Sequence, residues 1–418
     1  MNILNKVYCR IYQLAFRAAL PLLPYRDPEI YNSVGDVSLI FKKLHINSAL
    51  LVTDSFLKES GATAHLEDTL RNSGIRYSLY DKTCPNPTTI NVEEAFSMYC
   101  YDGCEAIIAF GGGSSIDCAK AVGARAAYPK RSLDKLKGLL KVLKRIPVLI
   151  AIPTTAGTGS ETTLAAVVTD PVKKHKYALY DFTLIPRYAI LDATVTYSLP
   201  PHLTSTTGMD ALTHAIEAYI GKSTTQKTRQ LSLEAVKLIF ENIETAYNEP
   251  ANSTARSNML LAAYKAGVAF SMSYVGYIHC IAHSLGGEYN IPHGLANSVL
   301  LPVVLEEYGE SIYKKLHQLA IAAGVASENT PDKDAALTFI QAIREKNDNM
   351  NIPRTLSGIK SADIPAMASH AAHEGNPLYP VPKLMDANEL EILYKKVSEE
   401  TDYNEYRAIT CSTAQILQ

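Results

Sequence analysis

The chain has 418 residues, 47% of them apolar, and a formal net charge of −2. That length allows two or three domains with ample cores, and the interspersed charges, with no basic block, exclude a nucleic-acid binder. Seven cysteines, scattered and odd in number with no Cys-x-x-Cys, favour a reducing, cytoplasmic setting over a disulfide framework.

The first 28 residues stand apart as an N-terminal extension. Met1 to Pro24 carries Lys6, Arg10 and Arg17, no acidic residue, and apolar side chains at helical spacing (Ile3, Val7, Ile11, Leu14, Leu20). Arg17 interrupts the apolar run, so no stable membrane insertion is expected. Two acid-poor amphipathic alternatives are an organelle presequence and a membrane-surface helix. The plainer expectation is a helix packed on the domain ahead of the first strand.

Residues 29–199 alternate strands and helices. Ser48–Thr53, Arg76–Tyr80, Glu105–Phe110 and Pro147–Ile152 are short apolar or β-branched runs, and a helical stretch through Leu70 follows the first of them. This order predicts an α/β domain with a parallel sheet covered on both faces. The third run leads into Gly111-Gly112-Gly113-Ser114, opening a helix. Such a turn lets backbone approach a pyrophosphate, which the unpaired N–H groups of a helix start attract. It lacks the G-x-G-x-x-G spacing, and a bare glycine turn often only joins strand to helix. Thr154-Thr155-Ala-Gly-Thr158-Gly-Ser160 repeats the arrangement after the fourth run, offering hydroxyls to a nucleotide or a capping loop with Ser160 as the cap. Asp54 ends the first run, as a ribose acceptor or a helix N-cap, and Asn86 in Pro85-Asn-Pro-Thr88 reads as a turn residue.

Past Ser198–Pro201 the pattern becomes helical. Arg229–Ala246, Ser257–Ser271, Ala335–Asn347 and Ala387–Thr401 are amphipathic, so residues 200–418 form an all-α domain. Two i,i+4 pairs of ligand type lie there, Asp210 with His214 and His279 with His283, each pair sharing one helix face. Gly286 and Gly287 suggest a helix end, after which a short loop with Pro292 brings His293 back toward the others. Converging imidazoles suit Fe, Zn, Cu or Ni. A single such pair also arises by chance on ordinary helices. A cleft between the two halves is the natural place for a small-molecule site.

These segments resemble the iron-containing (group III) alcohol dehydrogenases of dehydroquinate synthase-like fold, from about Ser48 to the C-terminal region. The resemblance rests on Gly111-Gly-Gly-Ser-x-x-Asp117-x-x-Lys120, Pro153-Thr-Thr-Ala-Gly-Thr-Gly-Ser160, Gly208-Met-Asp-Ala-Leu-x-His214-x-x-Glu217, and His279-x-x-x-His283-x-Leu-Gly with Pro292-His-Gly294. It implies a dinucleotide-binding domain followed by a helical metal-binding domain. It makes Asp210, His214, His279 and His293 the ligands of a divalent metal. Fe(II) is the ion implied, with zinc binding such N/O sites at least as tightly. His283 becomes a non-ligand that faces the nicotinamide and relays or positions a proton. Gly112, Gly113 and Ser114 would hold the pyrophosphate of NAD, and Thr154, Thr155, Thr158 and Lys176 the rest of the nucleotide. Asn86 would lie near the adenine. Asp54 would meet the adenosine ribose, where a carboxylate repels the 2′-phosphate of NADP. A homodimer is the family's habit.

The chemistry suits the ligand set. An alcohol must approach alkoxide before it loses hydride. A divalent cation lowers the pKa of bound water from roughly 16 to about 7, an effect on the order of 12 kcal/mol. The activity expected is interconversion of a small primary alcohol and its aldehyde with NAD. The alternatives are an NAD-using sugar-phosphate cyclase or lyase of the same fold, a polyol dehydrogenase, and a silent binding protein. The apolar segment around His279 (Val275, Ile278, Ile281, Leu285) favours an uncharged substrate over a sugar phosphate.

Overall fold

The structure, a computed structural model, describes residues 1–173 and 175–399. Six parallel strands form the main sheet: β1 (Glu29–Tyr31), β2 (Ser48–Val52), β3 (Arg76–Tyr80), β4 (Ala106–Gly111), β6 (Val148–Pro153) and β9 (Tyr188–Ile190), in the order β1-β9-β6-β4-β2-β3. A smaller sheet joins β5 (Gly138–Leu139), β8 (His175–Tyr180) and β7 (Ala165–Asp170), with β7 and β8 antiparallel.

Strands β2 and β4 are buried along their whole length, and their two-residue period divides them between two cores. Leu50, Val52, Ile107 and Ala109 face α5 (Thr89–Tyr101) and α6 (Gly113–Ala127). Ala49, Leu51, Ile108 and Phe110 face the opposite side, with α2 (Val37–Leu44) and α4 (Ala64–Asn72). The chain leaves β2 for β3 on one side and returns to β4 on the other. The crevice beyond the C-terminal ends of β2 and β4 is therefore the switch point of the sheet, where ligands of doubly wound folds bind.

From Pro201 onward the elements are helices: α7 (Pro201–Ile220), α8 (Gln226–Asn248), α9 (Ser253–Ser273), α10 (Tyr277–Tyr289), α11 (His293–Tyr308), α12 (Tyr313–Ala322), α13 (Asp332–Asn349), α14 (Ile364–Gly375) and α15 (Ala387–Val397). They share one core, in which Met209, Leu212, Ile216, Ile239, Ile281 and Leu300 are fully buried.

Several sequence expectations are corrected. The helical stretch to Leu70 is two helices, α3 (Ser55–Glu59) and α4, parted where Gly61 takes φ +77°. Gly286 and Gly287 do not end α10; the helix runs through both, and Asn290 stops it in the left-handed conformation at φ 54°. The last helix stops at Val397, because Ser398 leaves it to bridge Leu356 while Glu399 N–H donates to Leu356 O at 3.0 Å. The rest of that expected helix, and Cys411, lie outside the described residues. Strands β1, β5, β7, β8 and β9 were not foreseen: β1, β5 and β9 are two or three residues long, β8 opens on the exposed His175 and Lys176, and β7 is only half buried along its length. The N-terminal helix α1 (Ile3–Ala19) docks on the helical half rather than beside the sheet. Gln13 donates to Tyr379 O at 2.7 Å and Arg10 to Val381 O at 2.7 Å and Pro382 O at 2.8 Å.

Candidate metal and nucleotide site

Helix α7 begins at Pro201, and Asp210, His214 and Glu217 fall on one of its faces; all three are buried. Helix α10 carries His279, and after Asn290–Pro292 the chain enters α11 with His293 as its first residue. These turns bring Asp210, His214, His279 and His293 together, with one candidate donor atom from each lying within 4.8 Å of every other. His279 Nε2 stands 3.9 Å and His293 Nε2 3.6 Å from the same Asp210 oxygen. The rings of His214 and His279 stack at 4.5 Å, with Phe270 stacked on the other side of His214 at 4.1 Å.

The group fits a divalent cation on three counts. Burial lowers His279 well below the ordinary imidazole range, lowers His214, and takes His293 down to about 4, so neutral imidazoles with free lone pairs are present at neutral pH. The Nδ1 of His214 is buried with no hydrogen-bond partner among the described residues. The Asn297 amide nitrogen reaches into the group, 2.6 Å from Asp210 Oδ1, 3.1 Å from His293 Nε2 and 3.3 Å from His279 Nε2. A lone polarised donor thus serves a cage of acceptors, which is the charge pattern a cation satisfies.

Behind the ring of His279 sits Glu217. Its Oε2 accepts from His279 Nδ1 at 2.6 Å and from Gly276 N–H at 2.8 Å, while Oε1 accepts from Ile278 N–H at 3.0 Å. Carboxylate–imidazole pairs of this kind hold the ring with its other nitrogen toward a metal. Burial pushes the Glu217 carboxyl up to about 8 against the pull of those donors. A side chain on Gly276 would meet Glu217 Oε1 at 2.7 Å, so glycine there lets the carboxylate in.

His283 lies one turn beyond His279 and faces outward, half exposed, with Nδ1 bonded to Glu374 at 2.7 Å and its ring stacked on His293 at 5.3 Å. Tyr379 donates to the same Glu374 oxygen at 2.8 Å. His283 thus touches the metal group without joining it.

The glycine turn and the threonine turn sit side by side because β4 and β6 are neighbours, with Gly111 paired to Pro153. Gly112 caps α6 with extended backbone and Gly113 and Ser114 form its first turn. A Cβ on Gly112 would touch Thr155 at 3.4 Å, and one on Gly113 would press Thr158 at 3.1 Å. Thr154 N–H donates to Gly111 O at 3.1 Å. Ser160 is not a helix cap; its hydroxyl donates to Asp117 at 2.7 Å. Lys120 is fully buried behind this turn, donating to Thr163 Oγ1 at 2.7 Å and to the Ala165 carbonyl at 2.8 Å. Asp54 ends up as the N-cap of α3, accepting from Leu57 N–H at 2.9 Å at the mouth of the switch point. Asn86 adopts φ 56° as a turn residue and accepts from Lys176 at 2.7 Å across to β8. Gly159, at φ +59°, lies against Gly267 of α9; a Cβ on Gly159 would come 2.7 Å from the Gly267 Cα, so the threonine turn touches the helical half directly.

Sequence reasoning gave no role to Glu217, Glu374 or Asn297. Glu217 had a local signal, three residues after His214 on the same face, and Asn297 one turn after His293. Glu374 had none, since its partner His283 is 91 residues away.

The profile of the iron-containing alcohol dehydrogenase family matches residues 31–193, and that of the family's C-terminal domain matches residues 204–398. Alcohol dehydrogenase 4 of Saccharomyces cerevisiae is 37% identical over 337 residues, 80% of this chain and 86% of that protein. The NAD-dependent methanol dehydrogenase of Bacillus methanolicus is 37% identical over 344 residues, 81% of this chain and 89% of its own length. The crystal structure of a 1,3-propanediol oxidoreductase superposes with a TM-score of 0.85 at 33% identity, covering 89% of this chain and 98% of that one.

Proposed function

The chain belongs to the iron-containing alcohol dehydrogenase family of oxidoreductases, and from that premise we propose that it interconverts a small primary alcohol and its aldehyde with NAD and a divalent metal, Fe(II) first among candidates. The observation that carries the reading is the cluster of Asp210, His214, His279 and His293 beside the crevice at the switch point. When bound, the metal would supply Lewis acidity at a substrate oxygen and NAD would accept the hydride.

In this reading the four residues hold the metal, with Glu217 and Asn297 keeping His279 and Asp210 in orientation. Gly112, Gly113 and Ser114 present N–H groups to the pyrophosphate at the start of α6. Thr154, Thr155, Thr158, Lys176 and Asn86 line the remainder, and Asp54 meets the ribose. His283 takes the alcohol proton on Nε2 and passes it toward solvent, oriented through Nδ1 by Glu374. Ile278, Ile281 and Leu285 are fully buried in the core of the helical half, so the apolar character of this segment serves packing and does not select the substrate. The lyase alternative draws no support from the relatives. A cytoplasmic homodimer completes the proposal; the six free cysteines among the described residues suit a reducing compartment.

Elemental analysis of anaerobically purified protein, followed by NADH formation across a panel of short alcohols, tests this. Protein that holds metal yet forms no NADH with any alcohol, diol or aldehyde pair refutes the substrate class. Protein that binds neither metal nor NADH refutes the whole reading.

A further inference from the structure

Helix α1 sits on the protein the wrong way round for a packing helix. Its buried residues are Cys9 and Gln13, and it is clamped by hydrogen bonds from Arg10 and Gln13 to the carbonyls of Pro377–Pro382. Phe16 packs edge-on against Tyr274, but the other large apolar residues point away: Ile3 and Leu4 are each 80% exposed, Ile11 63% and Leu14 66%. At 3.6 residues per turn, Ile3, Leu4, Val7, Ile11 and Leu14 occupy about 100° of the helix circumference, and Lys6, Arg10 and Arg17 fall within about 60° beside them. Contiguous outward apolar surface of this kind marks an interaction site. The family profile begins at residue 31, so the helix lies outside the matched enzyme.

Charge identifies the partner. The helix has no acid, and the basic ground continues around it. Burial, then repulsion from Lys222, Arg229 and Arg17, lowers Lys315 to about 8. Val7, Ile11, Leu14 and Leu384 line a groove of ≈ 450 Å³ with Lys6 and Arg10; Lys383 there is paired with Glu307 at 3.0 Å, and of the acids nearby Asp386 is taken by the N-terminal amine while Glu389 shares the groove. A second copy of the chain docked through this face by two-fold symmetry would set these cations against their own equivalents. An anionic lipid surface meets both halves of the pattern, apolar residues for the acyl boundary and cations for phosphates. Tyr8 and Tyr12, 59% and 40% exposed, suit the headgroup level. No helix among the described residues is long and apolar enough to cross a membrane, so the association is with the surface.

We propose that α1 docks the enzyme on an anionic bilayer, seating Ile3, Leu4, Val7, Ile11 and Leu14 at the acyl boundary with Lys6 and Arg17 on lipid phosphates. The test is co-sedimentation of the full chain with vesicles of equal phosphatidylglycerol and phosphatidylcholine, and with phosphatidylcholine alone. The intact protein pellets with the anionic vesicles, less so as salt rises. Ile11→Glu with Leu14→Glu abolishes pelleting while the thermal midpoint and NADH formation stay unchanged. Lys6→Glu with Arg17→Glu weakens it by roughly thirty-fold or more, at about a fivefold loss per cation removed and further loss from the reversed charge. The proposal is overturned by intact protein that stays in the supernatant, by equal binding to neutral vesicles, or by pelleting that survives both variants. It is also overturned if light scattering shows that Ile11→Glu with Leu14→Glu breaks an oligomer, since a second copy would then cover the face.

Discussion

Replacing Glu217 tests how the site is held together. The carboxylate is 3% exposed and accepts three hydrogen bonds, two on Oε2 and one on Oε1. In Glu217→Gln the amide can keep its oxygen at the Oε2 position, still accepting from His279 Nδ1 and Gly276 N–H. Its NH₂ group then faces the Ile278 N–H, donor against donor. A buried N–H left without an acceptor costs about 1–3 kcal/mol, so the metal-free variant should unfold at lower urea by that amount. The amide oxygen is also a weaker acceptor for His279 Nδ1 than an ionised carboxylate, which lowers metal affinity by roughly tenfold, the lower end of what outer partners of ligand histidines contribute. Glu217→Leu removes all three acceptors and frees the His279 ring. Its metal affinity should fall by about a hundredfold, the upper end of that range. Affinity is read by competition with a chromogenic chelator under anaerobic conditions, and stability by urea unfolding without metal. If Glu217→Gln matches the wild type in both measurements, the orienting role of this carboxylate is wrong.

His279→Ala should lose bound metal and turnover together, whereas His283→Ala should keep its metal and lose rate, because His283 faces outward onto Glu374 rather than into the acceptor cage; full metal content and activity in His279→Ala contradicts the ligand assignment. Asp54→Gly should shift the ratio of kcat/KM toward NADP while costing only a few tenths of a kcal/mol, since glycine is a tolerable N-cap; an unchanged ratio removes Asp54 from cofactor selection. Glu161 is 2% exposed, and burial raises its carboxyl from 4.5 to about 7. The folded chain therefore holds that proton longer than the unfolded chain. Its contribution is present below pH 4.5 and is lost as pH rises through about 7, an amount on the order of 3 kcal/mol. Glu161→Gln should be the more stable protein at pH 7.5, by about that amount, and equal to wild type near pH 4.5; urea midpoints that differ equally at both pH values contradict this.

Much of the site is legible in the sequence because its parts are local. Asp210 and His214, four apart on an apolar helical run, must share a face whatever surrounds them, and Gly111–Ser114 must follow a buried strand into a helix. Runs such as Ala106–Gly111, apolar throughout, declare a strand covered on both sides. The helix through Gly286 and Gly287 was misjudged because glycine signals a helix end only when its neighbours allow the chain to turn. Here Asn290, four residues after Gly286, takes that role.

The sequence by itself determined the long buried strands, the main helices, the candidate ligand types and the spacing that puts each pair on one face, since these depend on dihedral preferences and periods a few residues long. Only the tertiary structure decided which distant partners hold the histidines, Glu217 on His279 and Glu374 on His283, and that α1 lies with its apolar face outward. Those outcomes depend on contacts between residues tens to hundreds of positions apart, such as Gln13 with Tyr379, and nothing in local periodicity encodes which distant carbonyl or carboxylate a side chain will meet.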